Sequence, residues 1–168
     1  MTIWRLLVII KQLLDEDFVN YKEPSMFIGM KSCDFKCCKD GGFPISTCQN
    51  CELMKAPDID VPPSKIVKRY IKNPITKAIV FGGMEPLLQA QDLYSFMKLF
   101  RKYSDDPIII YTGYNRNEIE YAISCFEAIA ERNVIVKFGR YVPGQKPHYD
   151  PVLGVNLASD NQYGEVIC

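Results

Sequence analysis

Ala78-Ile79-Val80-Phe81-Gly82-Gly83 is a short apolar run stopped by a glycine pair. A run this short, with β-branched Ile79 and Val80 inside it, suits a strand buried on both faces better than a helix. Met26-Phe27-Ile28-Gly29-Met30, Pro107 to Tyr111 and Val134 to Phe138 are runs of the same kind. Helical patterns alternate with them. Ser64 is a candidate N-cap for a helix through Ile66-Val67 and Tyr70-Ile71. Ala90 to Tyr103 carries Leu93, Phe96-Met97 and Phe100 at helical spacing, and Asn115 can cap a helix from Glu118 to Ala130. Buried strands alternating with amphipathic helices predict βα units and a parallel sheet. Right-handed crossovers then give an open twisted sheet or part of a barrel.

Towards the N-terminus, Ile3 to Ile10 predicts a strand, although the Leu-rich stretch to Leu14 also suits a short helix. Asp15 to Ser25 and the stretch around Pro57, Pro62 and Pro63 read as irregular. Val152 to Leu157 predicts a last strand in a tail rich in Pro, Gly and Asn. The chain of 168 residues predicts one domain, residues 1–168. At 48% hydrophobic and 24% charged residues, the composition is that of a globular protein. Net charge is zero, which argues against broad nucleic-acid binding and polybasic membrane docking. No apolar run approaches the ~20 residues of a membrane span. Lys11 ends the run from Leu6, and acidic residues follow where a signal peptide needs small ones, so a cytoplasmic location is expected.

Parallel sheets place ligands at the C-terminal strand ends. The unusual segments of this chain fall there: a cysteine-rich stretch after Met30, Gly82-Gly83-Met84-Glu85-Pro86, Thr112-Gly113-Tyr114, and Gly139-Arg140-Tyr141. Five of the seven cysteines lie in the first of these: Cys33, Cys37, Cys38, Cys48 and Cys51. Gly41-Gly42 and Pro44 make this segment, residues 31–51, a loop rather than a helix. In a reducing compartment, clustered thiols serve as ligands or catalytic groups more often than as disulfides. Three readings are open. Cys33, Cys37, Cys48 and Cys51 could close a tetrahedral zinc site. Cys48-x-x-Cys51 has redox-motif spacing. Three thiolates could hold three irons of a [4Fe-4S] cluster and leave the fourth iron free. The glycine pair offers backbone that a ligand can approach closely, with the carboxylate of Glu85 beside it. On turn chemistry alone, the same segment could be a tight turn with a solvated Glu85.

Together these segments resemble the radical S-adenosylmethionine (SAM) superfamily. Cys33-Asp-Phe-Lys-Cys37 resembles the start of its Cys-x3-Cys-x2-Cys motif, and Gly82-Gly83-Met84-Glu85-Pro86 its Gly-Gly-Glu-Pro segment. The greatest resemblance is to the activating enzymes of anaerobic ribonucleotide reductase. Asp17-Phe18-Val19-Asn20 is similar to their entry segment, and Cys48-Gln49-Asn50 to the Cys-His-Asn that closes their cysteine motif. Tyr111-Thr112-Gly113-Tyr114 with Glu118 is similar to their Trp-Thr-Gly-Tyr segment. Asp150-Pro151 and Ser159-Asp160-Asn161-Gln162 resemble their C-terminal segments. The likeness runs in order from Asp17 to Gln162. Two departures stand out: Asp40 occupies the place of the third cysteine, with Cys38 to Thr47 as an insertion before Cys48, and Met84 is extra. The spacing from Cys33 to Cys48 and Cys51 also resembles the expanded motif of some 7-carboxy-7-deazaguanine synthases.

The resemblance implies an α/β fold, a shortened βα barrel of the TIM type with parallel strands. It implies a [4Fe-4S] cluster on Cys33, Cys37 and Cys48, with Cys51 and then Cys38 as reserve ligands. It implies SAM held by Gly82, Gly83, Met84, Glu85, Thr112, Tyr114 and Asn161. Reductive cleavage of SAM to a 5′-deoxyadenosyl radical would follow, with no catalytic side chain beyond the cofactor ligands. The expected partners are a glycyl radical enzyme, the anaerobic ribonucleotide reductase, and an electron donor such as flavodoxin or ferredoxin. A radical SAM enzyme acting on a small molecule is the alternative within the superfamily. A non-catalytic zinc or iron–sulfur binding module is the alternative outside it. Of the remaining residues, His148 reads as a surface-loop histidine, Cys125 as a small buried hydrophobe and Cys168 as incidental. Lys39 and Arg140 could meet the SAM carboxylate but read first as solvated charges, and Phe35 reads as packing over the cluster.

Overall fold

Ile108-Ile109-Ile110 has no polar alternation, and all three residues are fully buried. That pattern belongs to a strand covered on both faces, and four such strands form the centre of the protein. The computed structural model describes residues 7–168. Among them the strands are β1 (Val8–Asp17), β2 (Ser25–Met30), β3 (Ile59–Val61), β4 (Ala78–Gly83), β5 (Ile108–Tyr111), β6 (Val134–Phe138), β7 (His148–Asp150), β8 (Val155–Leu157) and β9 (Tyr163–Val166). The helices are α1 (Lys36–Gly41), α2 (Cys51–Lys55), α3 (Pro63–Lys72), α4 (Ala90–Phe100) and α5 (Glu120–Ala130), with short 3-10 turns at Ile45–Thr47, Pro86–Gln89 and Arg116–Glu118. The main sheet runs β3-β1-β2-β4-β5-β6-β9, and β7 pairs with β8 in a separate hairpin.

Strands β2, β4, β5 and β6 are mutually parallel, as the alternation predicts. The expectation of a shortened TIM-type barrel with parallel strands is not met. The sheet is mixed: β1 runs antiparallel to β2, β3 antiparallel to β1, and β9 antiparallel to β6. Nor do helices ring it. The residues of α3, α4 and α5 pack on one side only, where Ile66, Tyr70, Leu93, Phe96, Phe100, Ile123 and Phe126 meet Ile28, Phe81, Ile110 and Val136. On the other side Phe27, Val80, Ile109 and Ile135 meet Tyr21, Leu153 and Leu157, from the β1–β2 turn and the β7–β8 hairpin. The edges account for this: β9 pairs antiparallel with β6 where a barrel would continue with a further parallel strand, and the β7–β8 hairpin takes the place of a helix on the second face.

Several element boundaries also differ. Residues 3–6 of the expected first strand lie outside the described residues, and the strand continues to Asp17 rather than ending at Ile10. Asp15 to Asp17 is therefore extended, and β3 lies in the proline-bounded stretch. The cysteine segment holds α1, a 3-10 turn and the start of α2 rather than loop alone. Helix α3 is capped from Pro62 with Pro63 at its first position, where the missing N–H does no harm, so Ser64 lies inside it. Asn115 caps the 3-10 turn through a capping box with Glu118, and α5 begins two residues later. In the tail, β7 and β9 were not expected, and His148 stands on β7 rather than in a loop. Cys125 is half-buried. No helix among the described residues is long and apolar enough to cross a membrane.

The aromatic core between α4 and β4 is tight. The Phe96 ring lies edge-on to Phe81 at 5.2 Å and stacks on Phe100 at 6.0 Å. Phe96→Ala is expected to cost about 3–5 kcal/mol of unfolding free energy through the cavity it leaves. A urea denaturation midpoint would measure this, and an unchanged midpoint would contradict the packing.

Candidate iron–sulfur site

Gly82 and Gly83 end β4 beside Gly29 and Met30 of β2, and each glycine is required by its surroundings. Gly83 has φ +75°, and a Cβ there would sit 2.5 Å from Leu53 Cδ2 and 3.1 Å from the Gly29 backbone. A Cβ on Gly82 would press on the Phe27 ring at 3.1 Å. The space kept open belongs to a cavity of about 640 Å³ that runs from the cysteine segment across the helix-free face of the sheet. Cys33, Cys37, Cys38 and Cys48 line it, as do Gly82, Gly83, Met84, Glu85, Thr112, Gly113 and Tyr114. Cys51 and Asn161 do not. The Asn161 amide donates to Arg140 O at 2.9 Å, and the neighbouring Gln162 lines the cavity instead.

Glu85 is buried rather than solvated. Its carboxylate accepts from Thr112 Oγ1 at 2.8 Å, Gly113 N at 2.9 Å and Leu87 N at 3.1 Å. Its own N–H donates to Ser32 O at 2.8 Å. Burial pushes its pKa up, and these donors pull against the rise. A carboxylate offers about four acceptor positions, and these side-chain bonds take three of them.

All the cysteines are free thiols. Phe35 N donates to Cys33 Sγ at 3.3 Å. Burial raises the Cys33 pKa to about 11 and shifts Cys37 and Cys48 in the same direction. Phe35 itself is the left-handed residue that opens α1 (φ 56°), and it does not line the cavity; Phe27 and Phe43 do. Among the described residues, no three Cys, His, Asp or Glu side chains converge as a site for a single metal ion. A structural zinc needs four donors gathered on one tetrahedral centre. A [4Fe-4S] cluster takes each thiolate on a different iron, so it suits thiols spread around a cavity wall.

Residues 25–161 match the family model of the 4Fe-4S single cluster domain. The chain belongs to this 4Fe-4S single cluster domain family. No curated protein and no solved structure matches the chain. The donor set fits the family's group: soft thiols in number, held next to close-approach backbone. Cys33, Cys37 and Cys48, expected as ligands from the resemblance, all lie on the cavity wall. Cys38 also reaches the wall, but it is buried and its Sγ faces Thr47 Oγ1 at 4.0 Å.

Sequence reasoning missed Lys137. It is buried at the end of β6, with Nζ donating to Gly139 O at 2.9 Å and lying 3.5 Å from Thr112 O. Burial lowers its pKa to about 8, against the pull of Cys37 and Glu85. The available signal was a single charge in an apolar strand, Val134-Ile135-Val136-Lys137-Phe138, on the opposite parity from the helix-facing residues. Arg140, expected to be solvated, is paired with Glu118 and Asp40 and has only 12% of its side chain exposed. Lys39 is exposed, as expected.

Replacing Cys33, Cys37 or Cys48 by Ala is expected to abolish the iron–sulfur absorbance, and replacing Cys38 or Cys51 to leave it. Retention in the Cys48 variant with loss in the Cys51 variant would move the third ligand by three residues. Gly113→Ala would put a Cβ 2.7 Å from Cys37 Sγ, so cluster content should fall while the fold persists. Ligation needs thiolates, and raised thiol pKa values hold protons to higher pH. Loading should therefore improve as pH rises from neutral towards 9, which a pH series of reconstitution absorbance would show.

Proposed function

We propose that this chain is a radical SAM enzyme of the glycyl radical activating type, acting on a partner such as an anaerobic ribonucleotide reductase. The observation that carries the reading is the shared cavity: Cys33, Cys37 and Cys48 line it together with Gly82 to Glu85 and Thr112 to Tyr114. Segments far apart in sequence, each resembling a part of the superfamily's cofactor site, thus meet at the C-terminal ends of the parallel strands. When bound, the cluster and SAM supply a 5′-deoxyadenosyl radical by one-electron cleavage of the sulfonium.

The chain's own residues have definite tasks in this reading. Gly82 and Gly83 let a ligand lie against backbone, and Met84 adds apolar wall. Glu85 keeps one acceptor position for an ammonium. Lys137 Nζ, held by Gly139 O and Thr112 O and lying 5.9 Å from the Tyr111 ring centroid, supplies a positive charge for a carboxylate. Together Glu85 and Lys137 suit the two ends of an amino-acid zwitterion such as the methionyl part of SAM. On the helix-free face Phe27, Tyr111 and Leu157 give the cavity an apolar wall.

The other cavity charges are already engaged. Asp17 accepts from Asn20, Asp34 from Tyr114, and Lys36 pairs with Glu118. That favours an uncharged substrate such as peptide backbone over a small acid that needs its own counter-charges. Flavodoxin or ferredoxin would supply the electron.

Anaerobic reconstitution with iron and sulfide should give a brown chain that releases methionine and 5′-deoxyadenosine from SAM under dithionite. A brown chain inert towards SAM would mark an iron–sulfur binding module. A colourless chain holding one zinc would overturn the reading altogether. Glu85→Gln should retain the cluster yet weaken SAM binding about tenfold, by loss of a charge-assisted hydrogen bond.

A further inference from the structure

Helix α1, which carries Cys37, is only six residues long. It has no side-chain N-cap and no acidic residue in its first turn, and it starts from a left-handed Phe35. A turn this short does not hold itself together, so its shape must come from contacts outside it. Two of its charges supply them. Lys36 Nζ lies 2.8 Å from Glu118 Oε1. Arg140 Nη1 and Nη2 grip the same carboxylate at 2.7 and 2.8 Å. Arg140 Nε lies 2.7 Å from Asp40 Oδ2. The chain of alternating charges Lys36, Glu118, Arg140, Asp40 thus starts and ends on α1, one turn apart.

Its middle is anchored elsewhere. Glu118 accepts from Asn115 N at 2.8 Å within the capping box, and Arg140 O accepts from Asn161 Nδ2 at 2.9 Å. Isolated exposed ion pairs contribute little. A two-pronged guanidinium–carboxylate pair with 12% and 25% side-chain exposure stands apart from them. A second tie secures the other end of the segment: Tyr114 Oη donates to Asp34 Oδ2 at 2.7 Å.

We infer that Glu118 is a positioning residue which, through Lys36 and Arg140, holds the Cys33–Asp40 segment ready to capture the cluster. It touches neither cluster nor substrate. The inference rests on the proposed cluster site, so its test has a readout in the metal-free chain. Hydrogen exchange reports local opening of α1 at the amides of Cys38 and Lys39, which donate to Phe35 O, and of Phe43, which donates to Cys38 O. Glu118→Gln keeps the shape and removes the charge. These amides should exchange about tenfold faster in it, with core amides of β4 and β5 unchanged. The reconstituted variant should lose iron to a chelator about tenfold faster than the parent. Lys36→Gln, at one end of the network, should show the same local effect at smaller size. Arg116→Gln, which breaks the nearby Arg116–Glu165 pair, should show none.

Unchanged exchange at Cys38, Lys39 and Phe43 in Glu118→Gln would overturn the inference. So would acceleration spread equally over the core. A parent chain that takes up no cluster would instead overturn the proposed function, while the exchange result would still judge the clamp.

Discussion

Glu85 places one buried carboxylate where three strand ends meet. Its backbone N–H reaches Ser32 beyond β2, and its side chain collects Thr112 and Gly113 beyond β5 and Leu87 in its own turn. A buried carboxylate without donors would be strongly unfavourable. The three loops therefore have to stay together, and with them the cysteine segment that follows Ser32. Everything proposed for the cavity depends on this arrangement. The same bonds fix Gly113 so close to Cys37 that no side chain fits between them. The carboxylate therefore organises the thiol side of the cavity as well as the glycine side.

The two faces of the sheet divide the work. Residues 79 and 81, 108 and 110, and 134, 136 and 138 face the helices and carry stability. The alternate set, which includes Phe27, Gly82, Tyr111 and Lys137, faces the cavity. Because a strand's side chains alternate, one register serves both purposes. Tyr111 shows the coupling. Its hydroxyl crosses the open face to donate to Asn20 O at 2.6 Å, so the β1–β2 turn is secured from β5, two strands beyond β2. The antiparallel edges complete the plan. They cap a four-stranded parallel centre and leave the sheet open rather than closed into a barrel.

How legible this was depended on how local the signal is. The parallel centre could be read because its strands are short, wholly apolar and punctuated by glycine. The edges could not. Leu13 and Leu14 suit helix as well as strand, and only pairing with Phe27 and Ile28 decides between them. Strand β9, Tyr163 to Val166, carries polar and half-exposed residues and exists because β6 offers it a partner. At the site, the thiols, glycines and Glu85 announce themselves by residue type and order. Lys137 does not, because a lone lysine is ordinarily a surface residue, and its burial follows from a strand neighbourhood that the sequence does not spell out. Arg140 misleads for the same reason: its partners, Asp40 and Glu118, lie far from it in sequence.

The insertion between Cys37 and Cys48 is where order in sequence and order in space part most sharply. Ten added residues should carry the third thiol away from the first two. They do not, because the insertion closes on itself. Helix α1 stops at Gly42 in the left-handed conformation, whose N–H returns to Cys38 O and Lys39 O. Phe43 N then bonds Cys38 O at 2.9 Å, and a 3-10 turn brings Thr47 back to within 4.0 Å of Cys38. Cys38 and Thr47 are thus the two feet of a closed excursion. Cys48 therefore lines the same cavity as Cys33 and Cys37. On this geometry Cys38 owes its burial to closing the loop, and Cys51, which opens α2, does not line the cavity. Of the five thiols, four thus reach one cavity, Cys38 among them with its sulfur turned to Thr47, and Cys51 alone stands outside it.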